Sequence, residues 1–464
     1  MHHTVVIAGA GPTGVTAAIL LGQHDVDVLL LDRWTDVYPQ PRAVHLDDEV
    51  YRILAKLGVA EEFAAISRPG AGLRLLSPDH QVLSTFDRTN PRTVNGFPAA
   101  NMFDQPDLEA ILRKRLTAYQ SVTLLGGAEI TAVTNGSRPS VTFERDGVPE
   151  TVTAEFLLGC DGANSLTRAA IGSAMENLRF EQRWLVLDIA TDRELGHWEG
   201  VHQVCDTTRA ATYMRIGERR HRWEFQLLDH ETAADFSTLA AVAPLLAPWD
   251  TDLDGFEVIR TAEYTFRAQL ADRWRSGRTF LLGDAAHLTP PFIGQGMGAG
   301  LRDAANLTWK IAGVLDGSLP ESALETYEQE RRPHAAALIR LAIGVGAAMT
   351  AGGRLGDLLR SVLAPRLHRL PGIGARVVES TSPALRRSAL VRRGRLSRSL
   401  AGTLAPNIDD RTGGGWAWVT TGPASPRPGA VTIEARGELA TWLRSGRARG
   451  ALVRPDFTVA EVTR

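Results

Sequence analysis

The residues Gly9-Ala10-Gly11-Pro12-Thr13-Gly14 stand between a short apolar run, Thr4 to Ala8, and an amphipathic segment that reaches about Gln23. In that setting Gly9 makes a tight turn and Gly11 lets backbone N–H groups reach a pyrophosphate. Gly14 permits close packing of a helix on a strand. Pro12 and Thr13 open the helix, whose N-terminus favours negative charge. A second apolar run, Asp27 to Leu31, ends on Asp32, eighteen residues after Gly14. A carboxylate there accepts hydrogen bonds from ribose hydroxyls and disfavours a 2′-phosphate. Arg33 follows it at the same edge. This pattern predicts a bound dinucleotide and does not separate NAD from FAD.

Three further segments extend the same chemistry. Phe156 to Gly162 is an apolar strand ending in Asp161-Gly162. Thr279 to Leu282 is another, ending on Gly283-Asp284 and leading into a loop with Pro290, Pro291, Gly294, Gly296, Gly298 and Gly300. So many glycines cost conformational entropy, which predicts that a ligand approaches the bare main chain. Two distant strands that finish in Gly/Asp turns fit an open parallel sheet that binds its ligand at the strand carboxyl ends. The third segment, Tyr38 to Ala43, is a proline-rich loop presenting Arg42. A helix from about Leu46 to Leu57 follows it, with Asp47, Asp48 and Glu49 in its first turn. Acids there suit the helix dipole, so the trio reads as capping, and no metal site is expected.

The motifs GAGPTG, CDG and GDAAH, in this order and spacing over about the first 345 residues, resemble the single-component FAD-dependent aromatic hydroxylases of the para-hydroxybenzoate hydroxylase type. YPQPRAVHLDDE, CDTTRAATYMRIGERRHRWEFQLL and YEQERRPHA resemble the 3-(3-hydroxyphenyl)propionate hydroxylase branch. The resemblance implies FAD as the resident cofactor, NADH or NADPH as a visiting electron donor, and O2 as co-substrate. It implies that Asp284, after Gly283, holds the ribityl hydroxyls. Pro291, Gly294 and the amides of Gly296, Met297 and Gly298 would face the flavin ring. Arg42 would contact the FAD phosphates, Gln105 the ribityl side, and Asp161 the pyrophosphate and the passing nicotinamide. The implied reaction hydroxylates a phenolic or related aromatic compound through a C4a-hydroperoxyflavin. Baeyer–Villiger oxygenation of a polyketide-type ring, or a flavin oxidase or dehydrogenase, are the alternatives. His287 reads as ordering its loop rather than as a base.

Between about Glu181 and Trp274 the pattern changes to two-residue alternation, clearest in Arg222-Trp223-Glu224-Phe225-Gln226-Leu227. Alternation of this kind predicts a half-buried antiparallel sheet, one wall of an aromatic pocket. His45, His221 and Arg222 are the candidates for catalysis. Tyr213, Arg215, Trp223 and Gln226 are the candidates for substrate contact.

These segments call for an α/β fold. A Rossmann-type FAD-binding domain would comprise residues 1–75, 100–180 and 275–345, interleaved with a substrate-binding sheet domain at 76–99 and 181–274. A helical bridge is expected at 346–400. A small α/β module at 401–464 resembles a shortened thioredoxin-like domain without CxxC, and so without dithiol chemistry. With 464 residues, two or three units are expected, and 44% hydrophobic with 22% charged residues describes a globular chain with a large core. A net charge of −2 gives no general attraction to nucleic acid or anionic membrane. Basic residues between Arg354 and Arg395 read as solvated helix faces. Two cysteines, Cys160 and Cys205, exclude a disulfide framework. Met1 to Thr4 leads straight into a strand, so no secretory signal is expected. The apolar run near Ala335 to Ala351, broken by Arg340, reads as too short to span a bilayer. A cytoplasmic monomer or homodimer acting on a small aromatic molecule is the expectation.

Overall fold

A computed structural model describes residues 1–40, 42–90, 93–350, 382–393, 399–408, 411–422 and 427–464. Five apolar runs, most of them far apart in sequence, become neighbouring parallel strands. Their order across the first sheet is Thr279–Leu281, Val148–Gly159, His2–Ala8, Val28–Leu31 and Val122–Leu125, with Arg275–Ser276 at one edge. Helices cover this sheet, so its strands read as continuous apolar runs rather than alternating ones. Register levels the carboxyl ends: Ala8 pairs with both Leu31 and Gly159, and Gly159 pairs with Leu281. Gly9, Asp32, Cys160-Asp161 and Gly283-Asp284 therefore leave the sheet along one edge.

The second sheet has eight strands, beginning in order with His287–Leu288, Glu257–Ala271, Met175–Ala190, Arg220–Gln226 and Ala211–Arg215. Val201–Val204, Gly72–Leu76 and Val82–Asp87 extend it. Gly72–Leu76 pairs in parallel with Val201–Val204, so this sheet takes in chain before residue 76 as well as after 181. Only the register reveals that membership, because Gly72–Leu76 is too short for its partner to be read from local pattern. The helix expected from Leu46 begins at Asp48, since His45–Asp47 is a short strand paired with Ala100–Met102.

The last module is a four-stranded sheet in the order Ala430–Glu434, Trp416–Thr420, Gly450–Val453, Val459–Thr463, with the helix Glu438–Ser445. Of the helical bridge expected at 346–400, residues 351–381 and 394–398 lie outside the described residues; 346–350 continue the helix Thr326–Thr350, while 382–393, with Arg386, Arg387, Arg392 and Arg393, is extended and turning chain rather than helix. Although the apolar run near Ala335 to Ala351 reads as too short to span a bilayer, the helical stretch Glu321–Thr350 that contains it is long and apolar enough to do so by length and composition. Its side chains point to a core role instead: Tyr327, Glu330, Arg331, His334, Ala335 and Ile339 are buried against the protein. Buried charges satisfied by protein partners mark a core helix rather than a lipid-facing one.

Candidate flavin and substrate site

Steric fit brings the three glycine-bearing motifs into contact. A Cβ on Gly9 would collide with the Cys160 carbonyl, and one on Gly14 with the Gly9 carbonyl. Thr13 lies against both Gly283, where a Cβ would come within 2.9 Å of Oγ1, and Gly300, where it would collide. The first helix, Pro12–Gly22, thus nests between the Asp161 turn and the glycine helix, Gly296–Leu315. Its Gly11 N-cap is different, because a Cβ there would meet nothing within 4 Å and no side chain caps the amides behind it. Unsatisfied amides facing open space at a helix start form an anion cradle.

Asp284 lies on the same edge. It is open on one side yet crowded by protein on the others, and that crowding raises its carboxyl above the usual range, against the opposing fields of His287 and Arg42. Among the described residues no hydrogen bond reaches its oxygens. Exposed Arg42 sits over the Tyr38 ring at 5.4 Å, and its backbone is fixed by Gln105. The Gln105 Oε1 accepts from the amides of Arg42 (3.3 Å) and Ala43 (2.6 Å), while its amide group donates to Glu109 (2.7 Å). Asp32 accepts from the amides of Ala10 (2.6 Å) and Trp34 (2.8 Å), with Arg113 4.0 Å away. Arg33 is exposed and lies over Trp34. An open phosphate cradle, an unpartnered acid and a free-standing arginine on one edge fit an adenine dinucleotide carrying a polyhydroxyl chain.

The family described as "FAD binding domain" matches residues 2–342. A probable NADH-specific resorcinol 4-hydroxylase of Rhodococcus jostii is 32% identical over 99% of this chain and 92% of its own length. The 3-(3-hydroxy-phenyl)propionate/3-hydroxycinnamic acid hydroxylase of Burkholderia cenocepacia is 34% identical over 80% of this chain and 68% of its own. The chain belongs to the FAD-dependent aromatic hydroxylases. In fold, this hydroxylase is similar to aklavinone-11 hydroxylase, solved with FAD and aklavinone, at a TM-score of 0.82 and 21% identity over 99% and 95% of the two chains.

Within the hydroxylase, Asp161 is occupied by its own loop. One oxygen accepts from Ser165 Oγ (2.5 Å), and the other from the amide and hydroxyl of Thr167 (2.9 and 3.0 Å). The glycine loop is held from behind. Asp47 caps the helix Asp48–Leu57 through the Val50 amide (2.9 Å) and accepts from Gln295 (2.8 Å) and Arg302 (2.5 Å), which also meets Glu49 (2.8 Å). Of the acidic trio expected to cap, only Asp47 does so; Asp48 instead accepts from Thr93 and from Asn95 (2.8 Å), and Asp47 and Glu49 through Arg302 anchor the turn that carries Gly294, Gly296, Met297 and Gly298. His45 packs its ring on Gly294, where a Cβ would come within 2.7 Å. Burial pushes its pKa down to about 4, so it is neutral near pH 7. His287 Nε2 donates to the Asp303 carboxylate (2.7 Å), which also receives the Gly283 amide (3.1 Å) and Arg331 (2.8 Å). That is a loop-ordering role.

The substrate-sheet candidates divide by parity. Even positions of Arg220–Gln226 face the FAD-binding unit: Arg222 donates to the Arg42 carbonyl (3.0 Å) and forks onto buried Asp188 (2.7 and 2.9 Å). Gln226 lies level with Trp184, which packs on Phe292 of the Pro291–Ile293 turn, ring centroids 5.7 Å apart. Odd positions face away. Tyr213, His221 and Trp223 join a separate core with Leu185, Leu187, Val242 and Leu246, where Tyr213 Oη meets His221 Nδ1 at 2.9 Å. Arg215 is held by Glu194 and Glu199 on that outer side. Tyr213, Arg215, His221 and Trp223 are thus corrected from pocket wall to outer packing, because alternate residues of a strand point to opposite faces. Arg222 is fully engaged in positioning the Arg42 loop, and is not poised for proton transfer.

Residues absent from the sequence reading complete the inner face. Thr212 and Gln203 stand level with Glu224 across three strands, and Gln203 Nε2 donates to the Phe292 carbonyl (2.9 Å). Trp184, Phe266 and Phe292 close the apolar end. Strand parity would have found Glu224, and helical spacing from Gln105 would have found Glu109 and Arg113.

Proposed function

We propose that this hydroxylase oxidises NADH or NADPH and inserts one atom of O2 into a phenol held between the inner face of the second sheet and the glycine loop. The observation that carries the placement is the link from Gln203 to Phe292, which sets the inner-face groove beside the turn leading into Gly294–Gly298. FAD, when bound, supplies the redox chemistry and the activation of dioxygen. The chain supplies the rest. Gly11, Thr13 and Gly14 would take the pyrophosphate at the helix start, Arg42 the phosphate charge, and Asp284 and Asp32 the hydroxyls. Amides of Gly296, Met297 and Gly298, at the uncapped start of their helix, would stabilise negative charge on the ring edge. Trp184, Phe266 and Phe292 exclude water from the substrate, which protects a reactive oxygen donor from wasteful decay. The 32% identical relative named as NADH-specific favours NADH over NADPH.

Anaerobic bleaching of the flavin by NADH and by NADPH, with and without a panel of phenols, tests this reading. Strong acceleration by a phenol, followed in air by a product heavier by one oxygen, is the expected result. Bleaching that ignores added phenol, or proceeds with an organic compound and no nicotinamide, would point to Baeyer–Villiger or oxidase chemistry.

A further inference from the structure

We propose that Glu224 sets the substrate class: it accepts a hydrogen bond from a hydroxyl of an uncharged phenol and turns aromatic carboxylates away. The proposal rests on the hydroxylase reading above. Glu224 is 9% exposed, at the centre of the inner face, between Val186 and Thr212 on the neighbouring strands. Among the described residues no hydrogen bond reaches its carboxyl. A buried polar group left without a partner is costly, and such groups are retained where a ligand completes them. One strand beyond Thr212, Gln203 has its Nε2 engaged by Phe292 while its Oε1 is buried and unpartnered. The row therefore offers acceptors at both ends and calls for a ligand that brings donors.

The cations nearby do not alter this balance. Arg222 is forked onto Asp188, Arg220 is paired with Asp104, and Arg260 is engaged by the Tyr264 ring and hydroxyl. Among the described residues, the arginines nearest Glu224 along the sheet are therefore each engaged, and a substrate carboxylate placed beside Glu224 meets its negative charge first. Burial raises the Glu224 pKa, Arg222 opposing and Asp188 reinforcing the shift. A lone pair for a phenolic O–H remains in either protonation state, whereas the rejection of acids belongs to the ionised carboxylate and is therefore read at alkaline pH.

The test uses the FAD-loaded enzyme without reductant, following the flavin absorbance change as ligand is added. Resorcinol and 3-propylphenol are the neutral probes, and 3-(3-hydroxyphenyl)propionate is the matched acid. The neutral phenols should bind about 10- to 100-fold tighter than the acid. Glu224→Gln should shrink that ratio to within about threefold by tightening the acid and weakening the phenols, with FAD content unchanged. Glu224→Asp should keep the wild-type preference. Equal binding of acid and neutral phenols by the wild type would overturn the proposal without recourse to any variant, as would a ratio that Glu224→Gln leaves unaltered. If phenols are still hydroxylated in those cases, the hydroxylase reading stands alone; if no phenol in the panel yields a hydroxylated product, both fall.

Discussion

Asp161 and Asp284 occupy matching positions, each just past a parallel strand in a Gly/Asp turn, yet their surroundings give them opposite roles. Every oxygen of Asp161 is engaged by Ser165 and Thr167, and Ser165 in turn caps the helix Leu166–Ala170. Asp284 has no such partner and faces the recess shared with Arg42. Substitution should separate the two. Asp284→Ala removes no intramolecular bond, so the apoprotein should melt where the wild type does. Its dissociation constant for FAD should rise by about 10- to 100-fold, the loss of one or two hydrogen bonds to a charged acceptor. Asp161→Ala should lower the melting temperature of the apoprotein itself, by the equivalent of about 1–2 kcal/mol for a lost cap. Differential scanning calorimetry of both apoproteins, with a flavin titration, checks the contrast. Equal melting shifts would refute it.

The strand Arg220–Gln226 shows what was legible at the level of elements and what was not. Its alternation announced a two-faced strand, and the glycine motifs announced each turn of the flavin edge with the correct neighbours. The inward face was not legible, because period two gives two sets of side chains without saying which meets the flavin unit. Aromatic and histidine residues drew attention to the odd set, 213, 221 and 223, whereas the bond from Arg222 to the Arg42 carbonyl selects the even one. Partners 34 and 180 residues away, Asp188 and Arg42, lie beyond any local pattern. The outer set has a consequence for pH. Burial holds His202 and His221 at about 4, below their ordinary 6.5. As pH falls, the unfolded chain takes up these protons before the folded one does. Stability is therefore full above about 6.5 and is lost on the way down to about 4, by on the order of 3 kcal/mol per histidine. Urea midpoints at pH 7.5 and 5 should show about 2 kcal/mol of that loss per histidine, the remainder following below pH 5. His221→Phe should reduce the slope while leaving the phenol KM unchanged, since this face does not meet the substrate.

At the scale of the whole molecule, the last module is joined to the flavin unit by buried charge. Glu330 accepts from both terminal nitrogens of Arg454 (2.9 Å each), from Lys310 (2.9 Å) and from Asn306 (2.9 Å). Arg454, Glu330 and Lys310 are fully buried, and these partners hold the Glu330 carboxyl well below its usual range despite the cost of burial. Arg454 comes from the module, and the others from the glycine helix and the long helix Thr326–Thr350 that packs on it. A second tie reaches the helix Asp48–Leu57, where Lys56 donates to the Pro455 carbonyl (2.6 Å) and Arg52 lies 3.8 Å over the Phe457 ring. Both tied helices also start at the flavin edge, one at Asp47 and the other at Gln295, and these two residues are bonded to each other. The module thus braces the glycine loop from the far ends of two helices. Arg454→Met would leave Glu330 buried with Lys310 as its remaining cation, and breaking a buried pair from one side costs about 3–5 kcal/mol. Because the network joins units rather than filling one of them, that loss should also uncouple their melting. Wild-type protein should release FAD fluorescence and lose its far-ultraviolet circular dichroism at one temperature. Arg454→Met should show an earlier step confined to the module, with FAD released in a second step below the wild-type temperature. A single unshifted transition in the variant would mean that the module rests on the flavin unit without bracing it.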